Sequence, residues 1–484
     1  MRLKQNLLIL AILLFATQAS MAQYRIYGGC KPKRSYMRVD STVLNRGIYA
    51  VKFTDKNNSP YSISNPQQFL SQRALDRRAK YNIAITEQDL PINKSYVDSL
   101  ANMGFLIQGS SKWLNCVWVE CPKEKLDELK NISFVDCNYN FRERKSKPLS
   151  KETKFKRPKV SKDVLDNSLK LDYGNAENQI QMLNVQALHN LGFTGKGVVV
   201  AVFDAGFTKA DKMPVFEPMF QENRILGVAD LVDNDDYAFD QGTHGMNVLS
   251  CIAANQPGKM IGTAPGVSAY LCRTEDEDTE YIIEEFNWVE ACEKADSIGA
   301  DVIHSSLGYR EFDDQTTSYV YDEINGDVCI SSRGADIAAS KGIYVNVSAG
   351  NEGDEPWKYI TAPADADSCM AIGAVDNKGK IAFFSSHGPT KDGRVKPDVC
   401  AKGLNTTVEG TSGHPTTSNG TSFSGPLMAG CAACLIEAHP KAHPTDIMKA
   451  IRLSASKYNM PDDTYGYGIP DLGLAHKILV KMGF

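Results

Sequence analysis

The chain has 484 residues, 42% of them hydrophobic, and a formal net charge of −5. That composition supports two or more domains with their own cores and excludes a disordered or fibrous chain. With no overall basic field, nucleic acid is not an expected partner.

The first residues, MRLKQNLLILAILLFATQASMA, set Arg2 and Lys4 before an apolar run from Leu7 to Ala16, with small residues at Ser20 and Ala22. Residues 1–22 therefore read as a signal peptide cleaved after Ala22, the apolar run being short for a membrane span. No later stretch is apolar enough to cross a bilayer, so a secreted or periplasmic protein is expected. The twelve cysteines invite a disulfide reading in such a compartment. Several sit where a small apolar residue would serve, as Cys251 in NVLSCIAA and Cys431 and Cys434 in MAGCAACLI. No second ligand pair stands near CAAC to make it a zinc or redox motif.

Residues 23–141 hold mixed strands and helices. GIYAVKF alternates like a strand, and NPQQFLSQRALDRRAKY predicts a helix with Asn65 as cap, Pro66 at the first helical position and Gln68 completing a capping pattern. INKSYVDSLANMG predicts a second helix stopped at Gly104. Strand FLIQG, strand KWLNCVWVE, helix PKEKLDELKN and strand ISFVDC follow. With the first two helices taken as a pair, the order is βαββαβ, a small ferredoxin-like α+β domain. Residues 142–168 form a basic linker. Its first part, RERKSKPLSKETKFKRPKVSK, has ten basic residues against two acidic ones, two prolines and no apolar periodicity.

Residues 169–484 read as one large α/β domain. GVVVAVFD, SAYLCR, ADVIHSSLG, GIYVNVSAG and CMAIGAV are apolar runs suited to strands buried on both faces, with helical stretches such as YIIEEFNWVEACEKADSIG between them. They predict three layers, a mostly parallel sheet between helices. In such sheets chemistry collects at the carboxyl ends of the strands.

Four residues stand out there. Asp204 follows the strand in GVVVAVFDAGF, His244 opens a helix in QGTHGMNVLSC with Thr243 as a possible cap, Asn351 follows the strand in GIYVNVSAGNEG, and Ser422 lies in NGTSFSGP. Taken singly, all but Ser422 read as ordinary turn or cap chemistry. Together they supply an orienting carboxylate, a base, an oxyanion donor and a nucleophile.

DAGF, GTHG, SAGNEG and NGTSFSGP, in this order, resemble the signatures of the subtilisin-like serine peptidases, the subtilases. GADVIHSSLGY is similar to that family's substrate-binding strand, and FSSHGPTKDGRVKPDVCAKG to its segment before the serine. The resemblance implies a subtilisin-like fold and an endopeptidase acting on polypeptide substrates. Asp204, His244 and Ser422 would be the triad and Asn351 the oxyanion-hole side chain, with the Ser422 N–H as second donor. Ser306, Leu307 and Gly308, with Ser348, Ala349 and Gly350, would line the subsite where the substrate backbone pairs. The sequence departs from the family in having Gly245, Met246 and Asn247 after the histidine, and Ala401, Lys402, Gly403 where Ala-Pro-Gly is usual.

The N-terminal domain resembles the family's propeptides, which implies an intramolecular inhibitor and a maturation cut between about Lys145 and Tyr173. The chemistry calls for no cofactor. Structural calcium is common in the family, though no loop here has a convincing ligand spacing. CRTEDEDTEYIIEE holds Glu275, Asp276, Glu277, Asp278 and Glu280 in a loop that, by analogy with the subtilases, would rim the non-primed side of the cleft, suited to basic residues of a substrate, to calcium or simply to solvent. A monomer is expected. With the helix DLGLAHKILVKMG at the chain's end, no C-terminal sorting tail is expected. The alternatives are a non-catalytic binding protein on the same scaffold, a metal-dependent hydrolase, or an enzyme that acts almost only on itself or one partner.

Overall fold

The computed structural model describes residues 46–142, 157–160 and 171–484. The expected signal peptide and most of the basic linker lie outside the described residues.

The N-terminal domain runs β1 (Arg46–Lys52), α1 (Gln72–Lys80), α2 (Lys94–Asn102), β2 (Leu106–Ser111) and β3 (Cys116–Pro122). Its antiparallel sheet has the order β1-β3-β2. The predicted fourth strand, ISFVDC, is reduced to a single bridge between Phe53 and Val135, on the side of β1 where a ferredoxin-like fold places it. The predicted helix PKEKLDELKN is a 3-10 helix, Lys123–Asn131. The first helix also starts later than expected. Asn65 makes no capping bond and Pro66–Gln68 is an isolated 3-10 turn, whereas Ser71 accepts the Ala74 N–H and caps α1. A tertiary contact decides this, because the Ser71 N–H is held by the Ser297 carbonyl of the second domain.

In the large domain the elements are β4 (Val199–Asp204), β5 (Ile225–Asp230), α3 (His244–Ala253), β6 (Ser268–Arg273), α4 (Ile283–Ile298), β7 (Val302–Ser305), α5 (Ile330–Ser340), β8 (Tyr344–Ser348), β9 (Cys369–Val375), β10 (Val399–Lys402), α6 (Thr421–Ala438), α7 (Pro444–Ser454) and α8 (Leu472–Met482). Seven strands form one sheet, in the order β10-β9-β8-β7-β4-β6-β5, and every pair in it is parallel.

Alternate residues of β4 feed opposite cores. Val200 and Val202 join α3, α6 and α8 on one face, and Val199, Ala201 and Phe203 join α4 and α5 on the other. Two-sided burial is why these strands read as continuous apolar runs. Because β4 lies between β6 and β7, the chain crosses it on passing from β6 to β7. That crossing opens a crevice at the carboxyl ends of the strands.

Cys431 and Cys434 are buried in the interior of α6, and all eleven described cysteines are free. No described helix is long and apolar enough to cross a membrane. The small domain lies across α4 and α5, with Trp118 of β3 buried 5.5 Å from the ring of Phe286.

Candidate active site

Asp204 ends β4 with no exposed surface. Its Oδ1 accepts the Ala205 N–H at 2.9 Å and faces His244 Nδ1 at 2.8 Å. Forty residues separate the two, and a glycine lets them meet. A Cβ at Gly245 would lie 2.4 Å from the Gly206 carbonyl oxygen and 2.8 Å from Asp204 Cβ, so only glycine allows α3 to butt against the end of β4. Thr243 precedes the helix without capping it through its side chain.

With Nδ1–H committed to the carboxylate, His244 Nε2 is left with its lone pair. Burial draws the imidazole's pKa down, but the Asp204 carboxylate and its hydrogen bond, with Glu277 adding, outweigh it, and the net is a rise above the ordinary value.

Ser422 is the second residue of α6, 7% exposed. The helix is entered through Gly420 at φ +147°, a backbone region that side-chain-bearing residues avoid. Phe423, the next residue, packs its ring 5.5 Å from that of His244. Among the described hydrogen bonds, Ser422 Oγ donates to the Ser306 carbonyl at 3.4 Å rather than to His244. Asn351 Oδ1 accepts from both the N–H and the hydroxyl of Thr421, at 2.8 and 3.0 Å. The side-chain oxygen of this exposed residue is thus committed to Thr421, and its amide nitrogen is not.

The strand ends lie beneath this turn. Leu307 and Gly308 line the cleft together with Ser306. Ser348 and Ala349 are buried, and the Ser348 hydroxyl donates to the Thr421 carbonyl at 2.8 Å, so it secures α6 instead of facing the cleft. Gly350 donates its N–H to Thr421 Oγ1 at 3.2 Å. His304 and Asn346, passed over in the sequence reading, lie fully buried directly below. The signal was legible: a histidine and an asparagine inside otherwise apolar strands must find hydrogen-bond partners in the core.

A cavity of about 500 Å³ opens beside His244, with Ser306 to Tyr309 on one wall and Glu275, Asp276, Glu277, Asp278, Glu280 and Asp313 on the other. Glu275 accepts the hydroxyls of Thr274 and Tyr309 at 2.6 and 2.7 Å, yet burial and its acidic neighbours raise its pKa. Burial, with Asp313 adding, pushes Glu280 up to about 7. Behind the loop, Glu284 accepts the Asp276 N–H at 3.2 Å through one oxygen and has no described partner for the other. No described lysine or arginine pairs with any of these acids. Among the described residues no three His, Cys, Asp or Glu side chains cluster as metal ligands.

The model of the Subtilase family, Peptidase_S8, matches residues 195–468, more than half of the chain and all four of these positions. The chain belongs to the subtilase family. A second model, the Peptidase S8 propeptide domain of Bacteroidota, matches residues 48–158. This subtilase is 28% identical to the serine protease AprX of Bacillus subtilis over 306 residues, 57% of the chain and 65% of AprX. It is 31% identical to subtilisin E of the same organism over 265 residues, 54% of the chain and 61% of that protein. The match thus spans less than two thirds of either relative. Among solved structures, the crystal structure of MycP1 with its N-terminal propeptide removed superposes with a TM-score of 0.50 at 23% identity, covering 62% of this subtilase and 96% of that chain, a likeness of fold.

Proposed function

We propose that this subtilase is an exported serine endopeptidase that hydrolyses peptide bonds through an acyl-enzyme on Ser422. The observation that carries this reading is the 2.8 Å contact between Asp204 and His244 Nδ1, which leaves Nε2 basic in the crevice where Ser422 begins α6. A rotation of the Ser422 side chain, away from the Ser306 carbonyl and toward Nε2, lets the imidazole take its proton as it attacks the substrate carbonyl. Asp204 holds the required tautomer and stabilises the imidazolium. The Asn351 amide and the Ser422 N–H, beside the positive end of α6, receive the oxyanion. His244 then returns the proton to the leaving amine.

Polypeptide enters as an added strand along Ser306 to Gly308, and the acidic cavity receives basic side chains upstream of the cut. Residues 23–141 act as the enzyme's own inhibitor until the linker is cleaved. No cofactor enters the chemistry; calcium, if used, is structural.

Expression without residues 1–22, as wild type and as Ser422→Ala, with intact mass followed over time, tests this. The wild type is expected to shed its N-terminal domain and react with a fluorophosphonate probe while Ser422→Ala does neither. A wild type that stays intact, unreactive and inactive on casein makes the chain a binding protein on a subtilase scaffold.

A further inference from the structure

Helix α6 contains a proline, Pro426, four residues after Ser422. In an α-helix each carbonyl accepts the N–H four residues on, and proline has none. The Ser422 carbonyl is therefore deprived of its helical donor by the sequence of its own helix, at a buried position where an unpaired oxygen is costly.

The replacement comes from the sheet. Ser306 Oγ donates to the Ser422 carbonyl at 2.9 Å. A hydroxyl has one proton, so with that proton spent Ser306 must accept from its other neighbour, His304 Nε2, at 2.8 Å. His304 Nε2 then carries hydrogen and Nδ1 is bare. Nδ1 lies 3.0 Å from Asn346 Nδ2, a donor, whose second hydrogen goes to the Gly425 carbonyl, also at 3.0 Å. Every donor points one way, from Asn346 through His304 and Ser306 to the backbone of Ser422. His304 has no exposed surface, and burial, with the charge on His244 opposing a second one, lowers its pKa to about 3. It stays neutral across the working range and keeps this tautomer.

We propose that His304 is a positioning residue of the active site, supplying through Ser306 the hydrogen bond that Pro426 withholds from the Ser422 carbonyl. The bond fixes the peptide unit that follows Ser422, as the Ser348 hydroxyl on the Thr421 carbonyl fixes the one before it, and the two together set the direction of the Ser422 side chain. This rests on the peptidase reading above.

The test is a cycle of His304→Leu and Ser306→Ala, each alone and each combined with Pro426→Ala, which returns an N–H to residue 426. Turnover of a fluorogenic peptide and the rate of fluorophosphonate labelling are measured, with thermal melting as a check of folding. His304→Leu and Ser306→Ala are each expected to lower kcat and the labelling rate by roughly 10- to 100-fold with KM little changed. Adding Pro426→Ala is expected to restore most of the loss, and Pro426→Ala alone to leave turnover near that of the wild type. His304→Gln, which keeps an N–H for Ser306, is expected to fold and to lose less than His304→Leu, and it stands in should the leucine variant not fold. In the wild type, imidazole ¹⁵N shifts should report His304 as neutral with its proton on Nε2. Unchanged kcat in folded variants, no rescue by Pro426→Ala, or a proton on Nδ1 overturns the relay while leaving the peptidase reading standing. A wild type that neither turns over nor labels overturns both.

Discussion

Helix α4 carries two sets of buried carboxylates in opposite circumstances. Toward its carboxyl end, Glu293 and Asp296 face the N-terminal domain and are matched. Glu293 accepts the Ser111 hydroxyl at 2.5 Å and the N–H groups of Lys112 and Trp113 at 2.9 Å. Asp296 meets both Arg77 and Arg78, the latter at 2.7 Å, and Arg78 continues to Asp89, which also pairs with Lys341. At the start of the helix, Glu284 backs an acidic cavity in which no described cation answers any carboxylate. Burial raises the Asp89 pKa, but Arg78, Lys341 and a backbone N–H outweigh that and hold it low, whereas Glu275, Glu280 and Glu284 all rise, as does Glu293, whose hydrogen-bond partners are a hydroxyl and two backbone N–H groups. Matched acids fasten a domain in place; unmatched ones leave charge to be satisfied by something that arrives.

The sharpest break of this comparison lies at Asp204, the carboxylate of the cleft that faces an imidazole. Asp204→Asn keeps the shape but offers an N–H to His244 Nδ1 and fixes the wrong tautomer, so kcat should fall by roughly 10⁴-fold in peptide hydrolysis. On the role proposed for Asn351, Asn351→Ala should lower kcat by about 10²–10³-fold with little change in KM.

At the seam, Asp296→Ala strands Arg77 and Arg78 in a buried site. Removing one partner of such a pair costs about 3–5 kcal/mol, so hydrogen exchange of β1 to β3 in a Ser422→Ala background should speed up by at least ~10²-fold, with the large domain unaffected. Equal loss of protection in both domains would mean that the seam is not a separable contact.

In the cleft, peptides with arginine upstream of the cut should exceed their glutamate counterparts in kcat/KM by at least ~10-fold, and the ratio should shrink as salt is raised. No preference would leave the acidic loop a solvated surface. The smallest expected effect is in the pH profile. The base works as neutral imidazole, and Asp204 and Glu277 raise its pKa, so activity should rise with pH through a midpoint above about 6.5. Glu277→Gln should move that midpoint down by a few tenths of a unit.

Much of the site was legible because its parts are local: a residue at a strand end, a histidine at a helix start, a glycine-flanked turn before a helix. The acidic loop was legible as composition, and the family resemblance supplied its place at the cleft beside His244. His304 was missed because its role depends on Pro426, 122 positions away in the chain and joined to it through Ser306 and the Ser422 carbonyl. The start of α1 was misjudged because the contact that places it, Ser71 to Ser297, spans the two domains. The fourth small-domain strand shrank to one bridge because an alternating run shows that a segment can pair, while the neighbour's reach decides how far it does.

By itself the sequence determined the parallel sheet of buried strands and the order of the four site residues, since apolar periodicity and turn chemistry are written within a few residues of where they act. Only the tertiary structure decided which polar groups are paired. It joined His244 to Asp204, tied the Asn351 oxygen to Thr421, matched Glu293 and Asp296 at the seam and left one Glu284 oxygen without a described partner. Pairing is a distance in space between residues that the chain keeps far apart, and no local pattern encodes it.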